Sequence, residues 1–283
     1  FPLKIPRRFA DCIEKGNPND PVLRQILPHK DELISFPGFT NDPVGDLTSS
    51  PMPGILHKYH GRALLITTGT CAINCRYCFR RNFPYSELQL TNSRIQQVLE
   101  YIKANPNLSE IILSGGDPLL LSDKHLQTLF ESLKSLEQIR RIRIHSRIPV
   151  VLTERITDNF LDILALPRAK IILVIHANHA NELSHYVASV CHRLAAQGVT
   201  LLNQSVLLKD INDTARNLEL LSEKLFEIGV LPYYLHLLDK AAGTGHFEVQ
   251  KELAIQLHKE LQARLPGYLV PKLVEERAGA AHK

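Results

Sequence analysis

The stretch Thr68–Tyr85 reads TGTCAINCRYCFRRNFPY, with Cys71, Cys75 and Cys78 inside eight positions and Arg80 and Arg81 close behind. Only two other cysteines occur, Cys12 and Cys191. An odd number of cysteines, three of them clustered, in a chain whose start FPLKIPRRF carries no signal-peptide core, argues for metal or redox chemistry over a disulfide framework. Cys191 falls in the apolar-periodic run ANELSHYVASVCHRLAAQG and reads as a small buried core residue.

Working outward, the loop sits directly after a β-rich run, RALLITT from Arg62, the first of six. The others are EIILSG from Glu110, IRRIRIHS from Ile139, KIILVIH from Lys170, VTLLNQSVLL from Val199 and LPYYLHLL from Leu231. Amphipathic segments such as RIQQVLEYIKA, KHLQTLFESLKSL and ARNLELLSEKLFEIG separate them. Apolar strands, each followed by a helix, imply a parallel sheet, and six such units make a partial barrel. Function is then expected at the strand C-termini, where the polar clusters fall: TTGTC, SGGDP, HSR, HANHANE, NQS and HLLDK. Residues 1–55, rich in turn signals (GNPNDP, FPGFTNDP, SSPMPG), read as an extension with short helices.

Composition bounds the function. A chain of 283 residues, 44% hydrophobic and 22% charged, can bury a large core. Its net charge of +4 comes without a long basic run, which does not suggest nucleic-acid binding. No apolar run approaches the roughly 18 residues of a membrane span, so a cytoplasmic location is expected.

The three cysteines leave two metal readings. A closed zinc site takes four N or S ligands, usually in two C-x2-C pairs; no second pair exists, although thirteen histidines could lend a fourth ligand to a zinc-stabilised binding protein. The C-x3-C-x2-C spacing suits three corners of a 4Fe–4S cube, with the fourth iron open to a non-protein ligand. At this point CAINCRYC resembles the radical S-adenosylmethionine superfamily. That resemblance implies an α/β partial (β/α)6 TIM-type barrel with its cluster held by Cys71, Cys75 and Cys78.

CRYCFRR, SGGDPLL, RIHSRIPVVLTERIT, HANHANE, LLNQSVLLKDIND, PYYLHLLDKAAGTGHF and GYLVPKL are moreover similar, in the same order, to the lysine 2,3-aminomutase family. The resemblance covers about residues 56–283. It implies three parts: an extension over 1–55, the barrel over 56–265, and a C-terminal strand with a pyridoxal-phosphate lysine over 266–283. Ser114, Gly115, Gly116 and Asp117 would meet S-adenosylmethionine, the glycine backbone approaching its amino group, with His176 and Gln204 nearby; without the resemblance, SGGDP reads first as a strand-to-helix turn with Asp117 as its cap. Lys58, Tyr59 and Arg62 would hold the phosphate of pyridoxal phosphate. Arg80 would grip the substrate α-carboxylate in a bidentate fork, while Arg81 reads as a solvated charge. Asp239 and Glu276 would hold the far ammonium of L-lysine, since paired acids select a cationic side chain. Lys283 would form the Schiff base with pyridoxal phosphate, by register from Val270-Pro271, although AGAAH replaces the family's glycine-rich run before it.

The implied activity converts L-α-lysine to β-lysine through a 5'-deoxyadenosyl radical, with lysine held on pyridoxal phosphate. NCRYCFRRNFPY, LPYYLHLLDK and the short run past GYLVP look most like the bacterial member that makes (R)-β-lysine for elongation factor P and its ligase. A catabolic or biosynthetic aminomutase, or a radical enzyme without pyridoxal phosphate, are the alternatives. Implied partners are an electron donor such as flavodoxin or ferredoxin and a second copy of the chain.

Overall fold

The computed structural model describes residues 2–165 and 167–280. Its eight strands form one sheet in which spatial order follows chain order. They are β1 (Ile55–Tyr59), β2 (Arg62–Thr68), β3 (Glu110–Gly115), β4 (Arg141–Ser146), β5 (Lys170–Ile175), β6 (Thr200–Val206), β7 (Leu231–His236) and β8 (Lys272–Val274). The six expected strands are all present as β2–β7, and each neighbouring pair is parallel. β4 starts at Arg141 rather than at Ile139.

Two strands flank these six. β1 is antiparallel to β2 and β8 is parallel to β7. The sequence reading placed HKYHGR before the first strand; Gly61, with φ of 77°, instead turns the chain so that Lys58 and Tyr59 end a strand paired with Arg62. The GYLVP segment is not itself a strand. Gly267–Leu269 forms a 3-10 turn and pairing begins after Pro271, which lacks the N–H a ladder needs. Among the described residues β1 and β8 do not pair, so the sheet stays open.

Ile111, Leu113, Ile144, Leu173 and Leu201, in register on one face of the sheet, are buried, while Leu64, Ile112, Arg143 and His145 on the other face border a cavity. Helices Asp123–Lys134, Asp158–Leu164 and His185–Ala196 cover the outside through Phe130, Phe160 and Cys191, the last a buried core residue as expected. Helices Ala215–Glu227 and Lys251–Arg264 build a second core with Leu235 of β7. Ser122, Thr157 and Thr214 cap three helices by accepting backbone N–H groups. The N-terminal segment lies across the strand ends, Thr40 bridging to Ala241 beyond β7.

Candidate active site

The cysteine loop leaves β2 and is tied to the end of β3. Gly116 N–H donates to Thr68 O at 2.6 Å and Asp117 N–H to Thr70 O at 2.8 Å. A Cβ on Gly116 would lie 2.5 Å from Thr70 O, and one on Gly115, whose φ is 116°, 2.6 Å from Thr68 O. These glycines are therefore required by the close approach of two strand ends. The Asp117 carboxylate accepts from Ser146 Oγ at 2.7 Å and from the backbone N–H of Arg147 at 2.8 Å, Leu119 at 3.1 Å and Ile148 at 3.2 Å. These bonds fix the Asp117 side chain at the strand end, on the wall of the cavity.

From the other side the extension clasps the loop. Glu32 accepts from Arg76 Nε at 2.7 Å and from Arg81 Nη2 at 2.8 Å. Arg81 also donates to Gly243 O at 3.0 Å and its side chain is only 11% exposed, which corrects its reading as a solvated charge. Arg76 N–H donates to Gln25 O at 2.8 Å. Asp46, held by a turn in which Asp42 accepts its N–H at 2.8 Å, reaches further in. It binds Arg80 Nε at 2.7 Å and Lys58 Nζ at 2.5 Å. Burial works against its ionisation, but these two cations outweigh it and hold the carboxyl below its ordinary range.

Every predicted site residue within the described chain lines one cavity of about 250 Å³: Lys58, Tyr59, Arg62, the three cysteines, Arg80, Ser114–Asp117, His176, Gln204, Asp239 and Glu276. Lys283 lies outside the described residues.

The donor set suits an iron–sulfur cluster. Burial and the neighbouring Cys75 push the Cys71 thiol up and the Cys78 thiol up to about 11. Without a metal these thiols stay protonated, and thiolates form when a cationic centre displaces their protons. Among the described residues no three His, Cys, Asp or Glu side chains group around a single ion, which does not favour the zinc reading; a cube held one iron per thiolate makes no such demand.

At the cavity's other side, Gln204 Nε2 and His176 Nε2 stand 2.8 Å apart. Arg62 stacks over the Tyr59 ring at 4.4 Å and, among the described residues, forms no ion pair, leaving its charge for an anionic ligand. Lys58 is less available than the sequence suggested, since it also meets Glu276 at 3.4 Å. Burial and Glu276 push the Tyr59 hydroxyl up to about 12, so it stays a donor. Arg80 places Nη1 3.2 Å from Ser114 Oγ; with Nε closed by Asp46, its Nη edge is what can receive a carboxylate.

Sequence reasoning missed Asp46, Gln25, Glu32, Tyr77 and Arg147. Tyr77 and Arg147 had a signal, the first lying inside CRYC and the second in the HSR cluster that ends β4.

A site of this kind, three clustered cysteines after the first parallel strand of an open barrel, defines a radical S-adenosylmethionine enzyme, and residues 65–183 match the Radical SAM superfamily. A radical SAM methyltransferase from Sphaerobacter thermophilus shares the fold, with a TM-score of 0.56 at 19% identity over 81% of this chain and 71% of that one. An L-lysine 2,3-aminomutase from Escherichia coli K12 is 50% identical over the whole chain, covering 82% of that protein. One from Haemophilus influenzae is 47% identical over the whole chain, covering 84% of it. The chain belongs to the lysine 2,3-aminomutase family, whose members are isomerases. The family's cofactors are a 4Fe–4S cluster, S-adenosyl-L-methionine and pyridoxal 5'-phosphate. Among the described residues no helix is long and apolar enough to cross a membrane.

Proposed function

We propose that this chain converts L-α-lysine to (R)-β-lysine and that the product serves the modification of elongation factor P. The observation that carries the substrate is the meeting of Arg80, Asp239 and Glu276 in the cavity that also holds the three cysteines. A guanidinium edge and two carboxylates on the walls of one cavity suit a zwitterionic head with a cationic tail. The bound cofactors supply a carbon radical that removes hydrogen and an imine that lets nitrogen migrate.

The chain's own part is to bind, orient and exclude water. Cys71, Cys75 and Cys78 hold the cluster. Ser114, the backbone of Gly115–Gly116, His176 and Gln204 border S-adenosylmethionine. Arg62 and Tyr59, with Lys58, take the phosphate, and Lys283 carries the pyridoxal. Arg80 Nη and the Asp239–Glu276 pair fix the two ends of lysine, so that its β-carbon is presented in one orientation. Flavodoxin or ferredoxin delivers the electron, and the enzyme works as a homo-oligomer. The supply of elongation factor P is supported by the likeness of NCRYCFRRNFPY and LPYYLHLLDK to the bacterial member with that role.

The test is anaerobic reconstitution with iron, sulfide and both organic cofactors, incubation with L-lysine, and chromatography that separates β-lysine enantiomers. (R)-β-lysine is the expected product. No β-lysine from enzyme with a full cluster would overturn the substrate, and the S form would overturn the stereochemistry. Borohydride reduction and peptide mapping should find the pyridoxyl group on Lys283; a label on Lys240 or Lys272 would move that role.

A further inference from the structure

Arg147 lies just past β4, is 4% exposed, and points Nη1 at Cys75 Sγ, 2.7 Å away. Nη2 donates to Glu182 Oε2 at 2.9 Å and to Gln25 Oε1 at 2.8 Å. Glu182 is fully buried and is held in turn by Gln25 Nε2 at 2.9 Å and the backbone N–H groups of Asn178 at 2.8 Å and His179 at 2.9 Å. The rings of Phe9 and Tyr77 wall the guanidinium at 5.4 and 5.6 Å. Nε is buried with no hydrogen-bond partner among the described residues.

A buried Arg–Glu pair is weak evidence for stability, because desolvation offsets the attraction. This one is built with one edge turned to a cluster cysteine, and an unpartnered buried donor beside that cysteine points to an acceptor supplied by a bound group. Cys71 and Cys78 have no comparable cationic side chain on their sulfur among the described hydrogen bonds. Cys78 accepts from the Arg80 backbone, and Cys71 is approached by Lys4 only at its carbonyl.

We propose that Arg147, oriented by Glu182 and Gln25, is a positioning residue that sets the reduction potential of the iron–sulfur cluster through Cys75. The inference rests on the three-cysteine cluster site described above. One electron from a low-potential donor adds one negative charge to the cluster in a medium that screens poorly. A guanidinium in contact with a ligating sulfur stabilises that added charge and raises the potential, as hydrogen bonds to cluster sulfurs do. Glu182 opposes it, tempering the cation while fixing its direction.

The two partners therefore predict shifts of opposite sign. Anaerobic redox titration of the reconstituted enzyme without S-adenosylmethionine, followed by electron paramagnetic resonance of the reduced cluster, reads the midpoint directly. Arg147→Gln should lower it enough to cut the ratio of reduced to oxidised cluster at least tenfold at a fixed potential, about 59 mV for one electron. Glu182→Gln, which keeps an acceptor at Oε1 for the two backbone N–H groups, should raise the midpoint. A general loosening of the fold cannot move the two variants in opposite directions. If Arg147→Gln does not fold, the upward shift in Glu182→Gln decides alone. Unmoved midpoints in variants with full clusters, or weaker S-adenosylmethionine binding with no change in potential, would overturn the proposal. Failure of the parent chain to assemble a cluster would instead overturn the cluster site.

Discussion

Glu32 carries two guanidinium groups at once. Burial alone would push its carboxyl up, but hydrogen bonds from Arg76 and Arg81 outweigh it and hold the group at about 2, against an ordinary 4.5. A carboxyl depressed in the folded state stabilises fully above its unfolded value and loses that contribution as pH falls through the folded one. The window runs from pH 4.5 to 2. Glu32→Gln should lower Tm at neutral pH, with the gap to the parent closing as acid is added through that window; a gap independent of pH would refute it. Asp239 makes a different prediction, about turnover. Losing one charge partner of a largely desolvated ammonium costs about 2–5 kcal/mol, so Asp239→Asn should use lysine at least tenfold more slowly at low substrate. Normal lysine turnover in that variant would remove Asp239 from the substrate site. The cysteines were legible from their spacing after the first strand; Arg80, Asp239 and Glu276 were reached only through the resemblance to the aminomutase family, and all of them line the cavity. Asp46 and Gln25 were not, because an acid or an amide in a turn-rich segment looks the same whether it faces water or a guanidinium folded back from far along the chain.

At the scale of elements, the six βα units were readable because short apolar β-rich runs alternate along the chain with amphipathic helical segments. β1 escaped because HKYHG has neither a long apolar run nor strict alternation; its pairing depends on the Gly61 turn. The SGG segment shows how one motif serves two ends. Its glycines line the cavity, yet the space a Cβ would need is filled by the backbone of Thr68 and Thr70. Gly116→Ala should therefore part the end of β3 from the cysteine loop, with a loss of about 1–3 kcal/mol of stability from overpacking. Iron bound per chain should fall with it. A variant that kept its Tm and a full cluster would show that the two strand ends have slack.

For the molecule as a whole, the open sheet matters most. An eight-stranded barrel that closes is filled by its own side chains, whereas here β1 and β8 stay apart and the interior keeps a cavity lined from β1 through the residues after β8. The extension supplies Gln25, Glu32 and Asp46 to buried cations on the other elements, and stripping one partner from a buried pair costs about 3–5 kcal/mol. A chain lacking residues 1–50 should accordingly be unable to hold iron or unfold cooperatively, and retention of both would reduce the extension to decoration. The same wrapping sets an order of events during synthesis. Strand order follows chain order, so the growing polypeptide can lay down the sheet one strand at a time as it leaves the ribosome. The loop of Cys71–Cys78, however, waits for its last brace, since Gly243 emerges 162 residues after the Arg81 it holds, and Glu276 follows 218 residues after Lys58. Metal loading should therefore come after translation, and nascent chains stalled before β7 should take up iron–sulfur poorly while released full-length chains load readily.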